Sequence, residues 1–369
     1  MNGDAVQIVY RVRTSAEALE SRAEALLLEQ TVELPRSALR WDFVRREMVG
    51  RVVSTVPVGE GEYRVTIEQP EATTGGDPAQ LLNVVFGNSS LQPDVELEDV
   101  RVPPALARAL GGPRFGIAGL RTVAGVSGRA LTATAIKPMG LSAQQAGGMC
   151  RAFALGGIDV IKDDHGLADH AFCPFGERIR ACLDATARAA QETGRRSVYA
   201  PNLIGGPSAV MRQAEEARGL GARAVVLSPM VLGLPVVAEL VRDLGMVVLA
   251  HPALVGVRRI HPEVLLGVLF PLYGADAVIY PNAGGRFSFS RETCAEIARL
   301  LRTPRSAIAP AMPVPAGGIR PERVPEVLAA YGADTMLLIG GGLIEPAEDT
   351  LVARCRQFAE SVQAFGYGR

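Results

Sequence analysis

Lys162, Asp163, Asp164 and His165 close the apolar run GGIDVI with an amine, two carboxylates and an imidazole in consecutive positions. If that run is a strand, its side chains alternate between faces, so Lys162 and Asp164 share one face and Asp163 turns into the wall or loop. Asp164 offers an anionic oxygen to a hard cation such as Mg2+, which takes several oxygens, so a metal site here needs another oxygen or a modified Lys162. His165 adds an imidazole able to bind a divalent ion or a substrate oxygen. A salt-linked rim capping the next helix is the plainer reading of the same four residues. His165 and His170 are five apart, without the HExxH spacing of a zinc hydrolase, and zinc is set aside. His170 reads as structural.

Two further residues end apolar runs singly. Lys137 ends ALTATAI just before Pro138, which restricts the lysine backbone. Desolvated there, an amine of lowered pKa can take a proton alpha to a carbonyl; as an ammonium it can hold an enolate or a phosphate. Snorkelling to solvent is the alternative. His251 ends MVVLA and suits general acid or base work, against the alternative of a satisfied core histidine. Later come PAGGI with Gly317 and Gly318, IGGG with Gly340, Gly341 and Gly342, and the loop PNAGGRFSFS, in which Arg286 can clamp an anion. Backbone N–H groups unobstructed by side chains can cradle a phosphate, although turn geometry alone also calls for glycine.

Bringing these residues together takes parallel strands whose ends converge. Runs of Val, Ile, Leu and Ala end near Lys137, Lys162, Pro201, Ser228, His251, Tyr280, Ala316 and Ile339, each followed by an Ala-, Arg- and Glu-rich helical segment. Eight such units predict an α/β chain with a (β/α)8 TIM barrel over residues 116–369, in preference to an open doubly wound sheet. All the candidate residues then stand at one mouth, with the glycine turns after strands seven and eight, the usual phosphate position of this fold. Ahead of the barrel, QIVYRVR alternates as a strand and residues 15–29 have helical spacing. Strands are expected over 51–56, 63–69 and 95–102, with GEG as a hairpin turn. This predicts a ferredoxin-like α+β domain over residues 1–115.

Composition removes several classes of function. With 369 residues, 48% of them hydrophobic, the chain has ample material for a core and is not disordered. Lys plus Arg number 38 against 39 Asp plus Glu, a net charge of −1 that makes nucleic acid an unexpected partner. The five cysteines are scattered without a CxxC pair, which predicts a reducing cytoplasm. Neither a leader pattern nor a spanning apolar stretch is evident, so no membrane is expected. Without GKS, GKT or an opening GxGxxG, ATP hydrolysis and nicotinamide binding fall away. The residues themselves imply a small phosphorylated carbonyl compound, activated by a hard cation and passing through enolisation.

The motifs AIKPMGLS, GGIDVIKDDH, PAGGI and IGGG, with EQTVELP near residue 29, resemble in order and spacing those of the RuBisCO superfamily, specifically its form IV RuBisCO-like proteins. The resemblance covers nearly the whole chain. It implies a homodimer or assembly of dimers, with no small subunit, whose sites use both copies, Glu29 reaching the neighbour's site. It also implies CO2 carbamylation of Lys162, with Lys162, Asp164 and His165 holding Mg2+, Lys137 taking part in enolisation, and Gly317, Gly318, Gly340 and Gly341 binding phosphate.

Departures from the family pattern argue against ribulose bisphosphate carboxylation. His165 stands where the family usually has glutamate, Met139 replaces a catalytic lysine, and Val84 replaces an asparagine. Arg286 lies where a mobile lysine is expected, and Pro252 replaces the arginine beside His251 that would hold a second phosphate. The implied function is formation of a metal-stabilised enolate from a phosphorylated keto-sugar or oxo-sugar acid, by proton transfer or decarboxylation, with Lys137 or His251 handling the proton. HPALVG and PNAGGRFSFS look closer to the oxo-sugar-acid branch. A methionine-salvage enolase or methylthioribulose-phosphate isomerase is the alternative enzyme, and a noncatalytic interaction protein the alternative of another class.

Overall fold

The computed structural model describes residues 5–257, 259–285, 287, 289–304, 306–344 and 350–367. Its first sheet is antiparallel, in the order β2-β3-β1-β4: β1 (Ala5–Arg13), β2 (Arg51–Gly59), β3 (Glu62–Pro70) and β4 (Val95–Arg101). Along β1 the apolar Val6, Ile8, Tyr10 and Val12 are buried, while Gln7, Arg11 and Arg13 lie on the other face, the period of two that a sheet covered on one side requires. Helix Leu19–Thr31 packs against this sheet and against helix Pro78–Phe86. It starts four residues later than the helical spacing suggested. Glu60 and Gly61 form the β2–β3 turn, with Gly61 at φ 65°, where a side chain would be strained.

The second sheet is a parallel ring of eight strands: β5 (Leu131–Ile136), β6 (Val160–Asp163), β7 (Val198–Ala200), β8 (Ala224–Leu227), β9 (Val247–Ala250), β10 (Ala277–Pro281), β11 (Met312–Ala316) and β12 (Met336–Leu338). Each ends where the apolar runs end. Seven neighbouring pairs are hydrogen-bonded in parallel, and β7 meets β8 through the parallel bridge of Asn202 to Val226, which completes the ring.

Alternation along these strands decides what faces the barrel axis. Leu131, Ala133, Val160, Val247, Leu249, Met312, Val314, Met336 and Leu338 belong to one interior cluster. Ile136, Ile161, Val248, Leu337 and Ile339 instead join the outer core under the helices. Helix Gly116–Ala124 closes the bottom of the barrel by adding Leu120 and Ala124 to the interior cluster. Asp276 anchors this plug: its Oδ1 accepts the N–H groups of Phe115 and Gly116, both at 2.7 Å, and its Oδ2 accepts that of Val248 at 2.9 Å. Burial lifts the Asp276 carboxyl to about 6 even with those donors around it.

Candidate active site

Continuing the interior register past the strand ends gives the site. Lys137 follows Leu131, Ala133 and Ala135; Lys162 follows Val160; His251 follows Val247 and Leu249; Gly340 follows Met336 and Leu338. All four carry the inward parity of their strands, so the side chains of Lys137, Lys162 and His251 converge at the C-terminal mouth beside Gly340. A Cβ on Gly340 would lie 3.8 Å from Lys137 Cε, which shows how closely the last strand end approaches the first.

Lys162 is 2% exposed, and its Nζ donates to the Asp163 carbonyl at 2.8 Å. Burial drives its amine down to about 8; the nearby Asp164 opposes that shift and Lys137 adds to it. Asp164 receives Lys137 Nζ at 2.6 Å on Oδ2 and faces His165 Nδ1 at 3.4 Å through Oδ1. Burial disfavours its charge, but the hydrogen bonds of His165 and Lys137, with Lys162 beyond, hold this carboxyl well below the usual range. His251 lies in a parallel stack on His165, ring centroids 4.2 Å apart and planes within 7°. Burial, with the charges of Lys162 and His165, pulls its imidazole down to about 2.

Asp163 has the opposite orientation and a structural task. Its Oδ2 accepts Arg178 Nε at 3.0 Å with both side chains fully buried, and its remaining capacity is taken by the Tyr199 hydroxyl at 2.7 Å and the Asn202 N–H at 3.1 Å. Arg178 Nη1 reaches the carbonyls of Ala168 and Cys173, each at 3.0 Å, and so fixes the loop that follows β6. Asn202 Nδ2 donates to the carbonyls of His165 and Leu167, both at 3.0 Å, which holds the His165 backbone. Sequence reasoning missed this web. Its one local signal was Arg178 on the apolar stripe of Phe175, Ile179 and Cys182.

The glycine turns have two roles that spacing alone could not separate. Gly317 and Gly318 have φ of 82° and 67°, and a Cβ on Gly318 would come within 2.5 Å of Gly285 Cα. The turn after β11 therefore packs main chain to main chain on the turn after β10. The backbones of Gly317 and Gly318 are exposed on the remaining side, as is Gly341, the first residue of helix Gly341–Ile344. Arg286 lies outside the described residues. Glu29 is not brought to this mouth within one chain. It lines a separate cavity of about 260 Å³ with Thr31, Thr73, Asn83, Val84 and Asn88, and its Oε1 accepts Asn88 Nδ2 at 3.0 Å.

Among the described residues no three His, Cys, Asp or Glu side chains gather as a metal site. Unmodified, the mouth offers a divalent cation one carboxylate and two stacked imidazoles beside two lysines, too few oxygens for Mg2+. A carbamate on Lys162 alters that balance by replacing a cation with an anionic oxygen donor, and the lowered amine pKa is what carbamylation needs.

Residues 116–267 match the family described as ribulose bisphosphate carboxylase large chain, catalytic domain. The chain is 44% identical to ribulose bisphosphate carboxylase-like protein 1 of Rhodopseudomonas palustris, over 97% of its own length and 98% of the relative's. It belongs to the RuBisCO-like proteins. A solved RuBisCO-like protein from Rhodopseudomonas palustris superposes on this RuBisCO-like chain with a TM-score of 0.91, at 42% identity and 99% coverage of each. The 5-methylthioribulose-1-phosphate isomerase of Rhodospirillum rubrum is 42% identical over 97% of this chain and 96% of that protein. No described helix is long and apolar enough to cross a membrane.

Proposed function

We propose that this RuBisCO-like protein is an enzyme that moves a proton on a small keto-sugar carrying one phosphate, through an enolate. The observation that carries this reading is the convergence of Lys137, Lys162 and His251 on one barrel mouth beside two glycine turns. Its similarity to a 5-methylthioribulose-1-phosphate isomerase favours proton transfer as the net reaction. The backbone N–H groups of Gly317, Gly318, Gly340 and Gly341 bind the phosphate, and Arg286 is the candidate anion clamp. Pro252 stands beside His251 where the resemblance expects the arginine for a second phosphate, in keeping with a substrate that carries one. Met139, 58% exposed at the mouth, puts an apolar surface where true carboxylases carry a lysine, which suits an apolar substituent at the far end of the sugar.

Lys137 and His251 flank the reacting carbon and one of them handles its proton, beside the buried Lys162. Carbamylated Lys162, Asp164 and His165 hold Mg2+, which when bound polarises the substrate carbonyl. The division into a domain of residues 1–115 and a catalytic barrel of residues 116–369 belongs to the same reading. So does a homodimer, in which the Glu29 cavity of one copy completes the mouth of the other. Five buried free cysteines favour a reducing, cytoplasmic setting.

The test is a screen of phosphorylated ketoses and oxo-sugar acid phosphates with Mg2+ and bicarbonate in D2O. Solvent deuterium entering a ketose monophosphate without CO2 release is the expected result. Release of CO2 from an oxo-sugar acid replaces proton transfer by decarboxylation. Failure to bind or turn over any of them leaves a noncatalytic interaction protein.

A further inference from the structure

The loop that begins at His251 does not stay with the barrel. It returns along the first sheet, where the Leu97 N–H donates to the Arg259 carbonyl at 2.7 Å and the His261 N–H to the Leu97 carbonyl at 3.0 Å, so that Ile260 bridges β4 in parallel. Arg259 itself has φ 89°, a left-handed backbone that suits glycine and that another residue keeps only when its surroundings hold it. What an arginine adds there is its guanidinium. Nη1 donates to the carbonyls of Ser90 and Gln92, at 2.9 and 2.8 Å. These carbonyls belong to the short 3-10 turn Asn88–Leu91 and to the residue that ends it. Asn88, the first residue of the same turn, donates through Nδ2 to Glu29 Oε1 at 3.0 Å.

We infer that Arg259 is a positioning residue for Glu29: by clamping the turn Asn88–Leu91 it fixes the Asn88 amide that orients the Glu29 carboxylate. The inference rests on the proposed homodimer, in which Glu29 completes the mouth of the other copy. Arg259 then joins the loop beside one mouth to a carboxylate that works in the other. The last carbonyls of a helical turn lack donors of their own, and a guanidinium meets that need with charge-assisted hydrogen bonds, stronger than neutral ones and present at every working pH. Neither Arg259 nor Ser90 lines the Glu29 cavity, so the effect reaches the carboxylate through the turn.

Two readouts on the full-length protein test this. Arg259→Gly relieves the backbone and removes the guanidinium, whereas Arg259→Lys keeps a cation that can donate to the same carbonyls. Amide exchange followed by mass spectrometry should quicken about tenfold or more at residues 88–92 in Arg259→Gly, less in Arg259→Lys, and stay unchanged in β5 and β6. Unchanged exchange at 88–92 overturns the inference, whether or not a substrate has been found. The second readout acts across the subunit boundary. A dimer of one Lys162→Ala chain and one Glu29→Gln chain, isolated through two different affinity tags, keeps one complete mouth: its barrel comes from the Glu29→Gln chain and its Glu29 from the other. Placing Arg259→Gly in the Lys162→Ala chain should cut kcat on a turned-over ketose monophosphate about tenfold or more, with KM changed less, and Arg259→Lys there should restore part of the loss. A role confined to the stability of its own chain leaves that mouth untouched, so an unaltered kcat also overturns the inference. An inactive mixed dimer beside an active wild type rejects the shared mouth and with it the role of Arg259 in the other copy. Absence of turnover in the wild type rejects the keto-sugar reaction and leaves amide exchange to decide whether Arg259 holds the turn.

Discussion

Lys137 Nζ and Asp164 Oδ2 lie 2.6 Å apart, joining the end of the first barrel strand to the residue after the second. Asp164 is thus the counter-charge of Lys137 and, while its amine is unmodified, of the neighbouring Lys162. Asp164→Asn keeps the shape and removes the charge. Activity on the keto-sugar phosphate should fall at least about 10²-fold, and the thermal transition should drop, because two amines then face each other uncompensated. An unchanged transition would show that the lysines do not depend on this carboxylate.

Carbamylation consumes the neutral amine, so its pH dependence has a definite sign. With Lys162 near 8, the neutral fraction is small at pH 6 and dominant at pH 9. At fixed dissolved CO2, the carbamate signal in carbon-13 NMR should therefore rise through that window and vanish in Lys162→Ala. A signal that is flat with pH, or that survives in Lys162→Ala, removes the modification from the site.

His165→Glu supplies the carboxylate that the family usually has at this position. Mg2+ affinity measured by calorimetry in the presence of bicarbonate should increase about tenfold or more, since a second carboxylate replaces an imidazole. The same change abolishes the stack on His251. Weaker or equal Mg2+ binding would mean that His165 is not at the metal position.

Gly318→Ala places a Cβ 2.5 Å from Gly285 Cα at a φ of 67°. The strain is about 1–2 kcal/mol, and the turn must move away from its partner. The expected result is a KM for the phosphorylated substrate raised about tenfold with a smaller change in kcat. A normal KM would detach this turn from phosphate binding.

Arg178→Met leaves the Asp163 carboxylate buried without its cation. Urea unfolding should report a loss of about 3–5 kcal/mol, the usual cost of breaking one half of a buried pair. Replacing both partners, Asp163→Asn with Arg178→Met, should recover part of the loss.

Strand parity made much of this legible in advance. GGIDVIK predicts an inward Lys162 and an outward Asp163, and ALTATAIK and MVVLAH place Lys137 and His251 on the same interior, because each strand is short, apolar and bounded by a polar end. The roles of the outward residues were not legible. Asp163 finds Arg178 on the following helix and Tyr199 on the next strand, contacts fixed by closure of the ring and by no local pattern. The stack of His165 on His251 joins residues 86 positions apart on strands two and five, and only the barrel brings them together. Nor could glycine spacing reveal that Gly318 is small because Gly285 is already there.

Closure of the barrel by the Asn202–Val226 bridge has a dynamic consequence. Among the described residues this junction holds through Val226 N–H to the Pro201 carbonyl at 2.8 Å and Leu203 N–H to the Val226 carbonyl at 3.0 Å. Native-state opening should begin at such a seam, and amide exchange at Leu203 and Val226 should outpace that of β5 and β6. Because the Asn202 side chain also anchors the His165 backbone, each breath of the seam would loosen the catalytic mouth, coupling this joint to the turnover of its site.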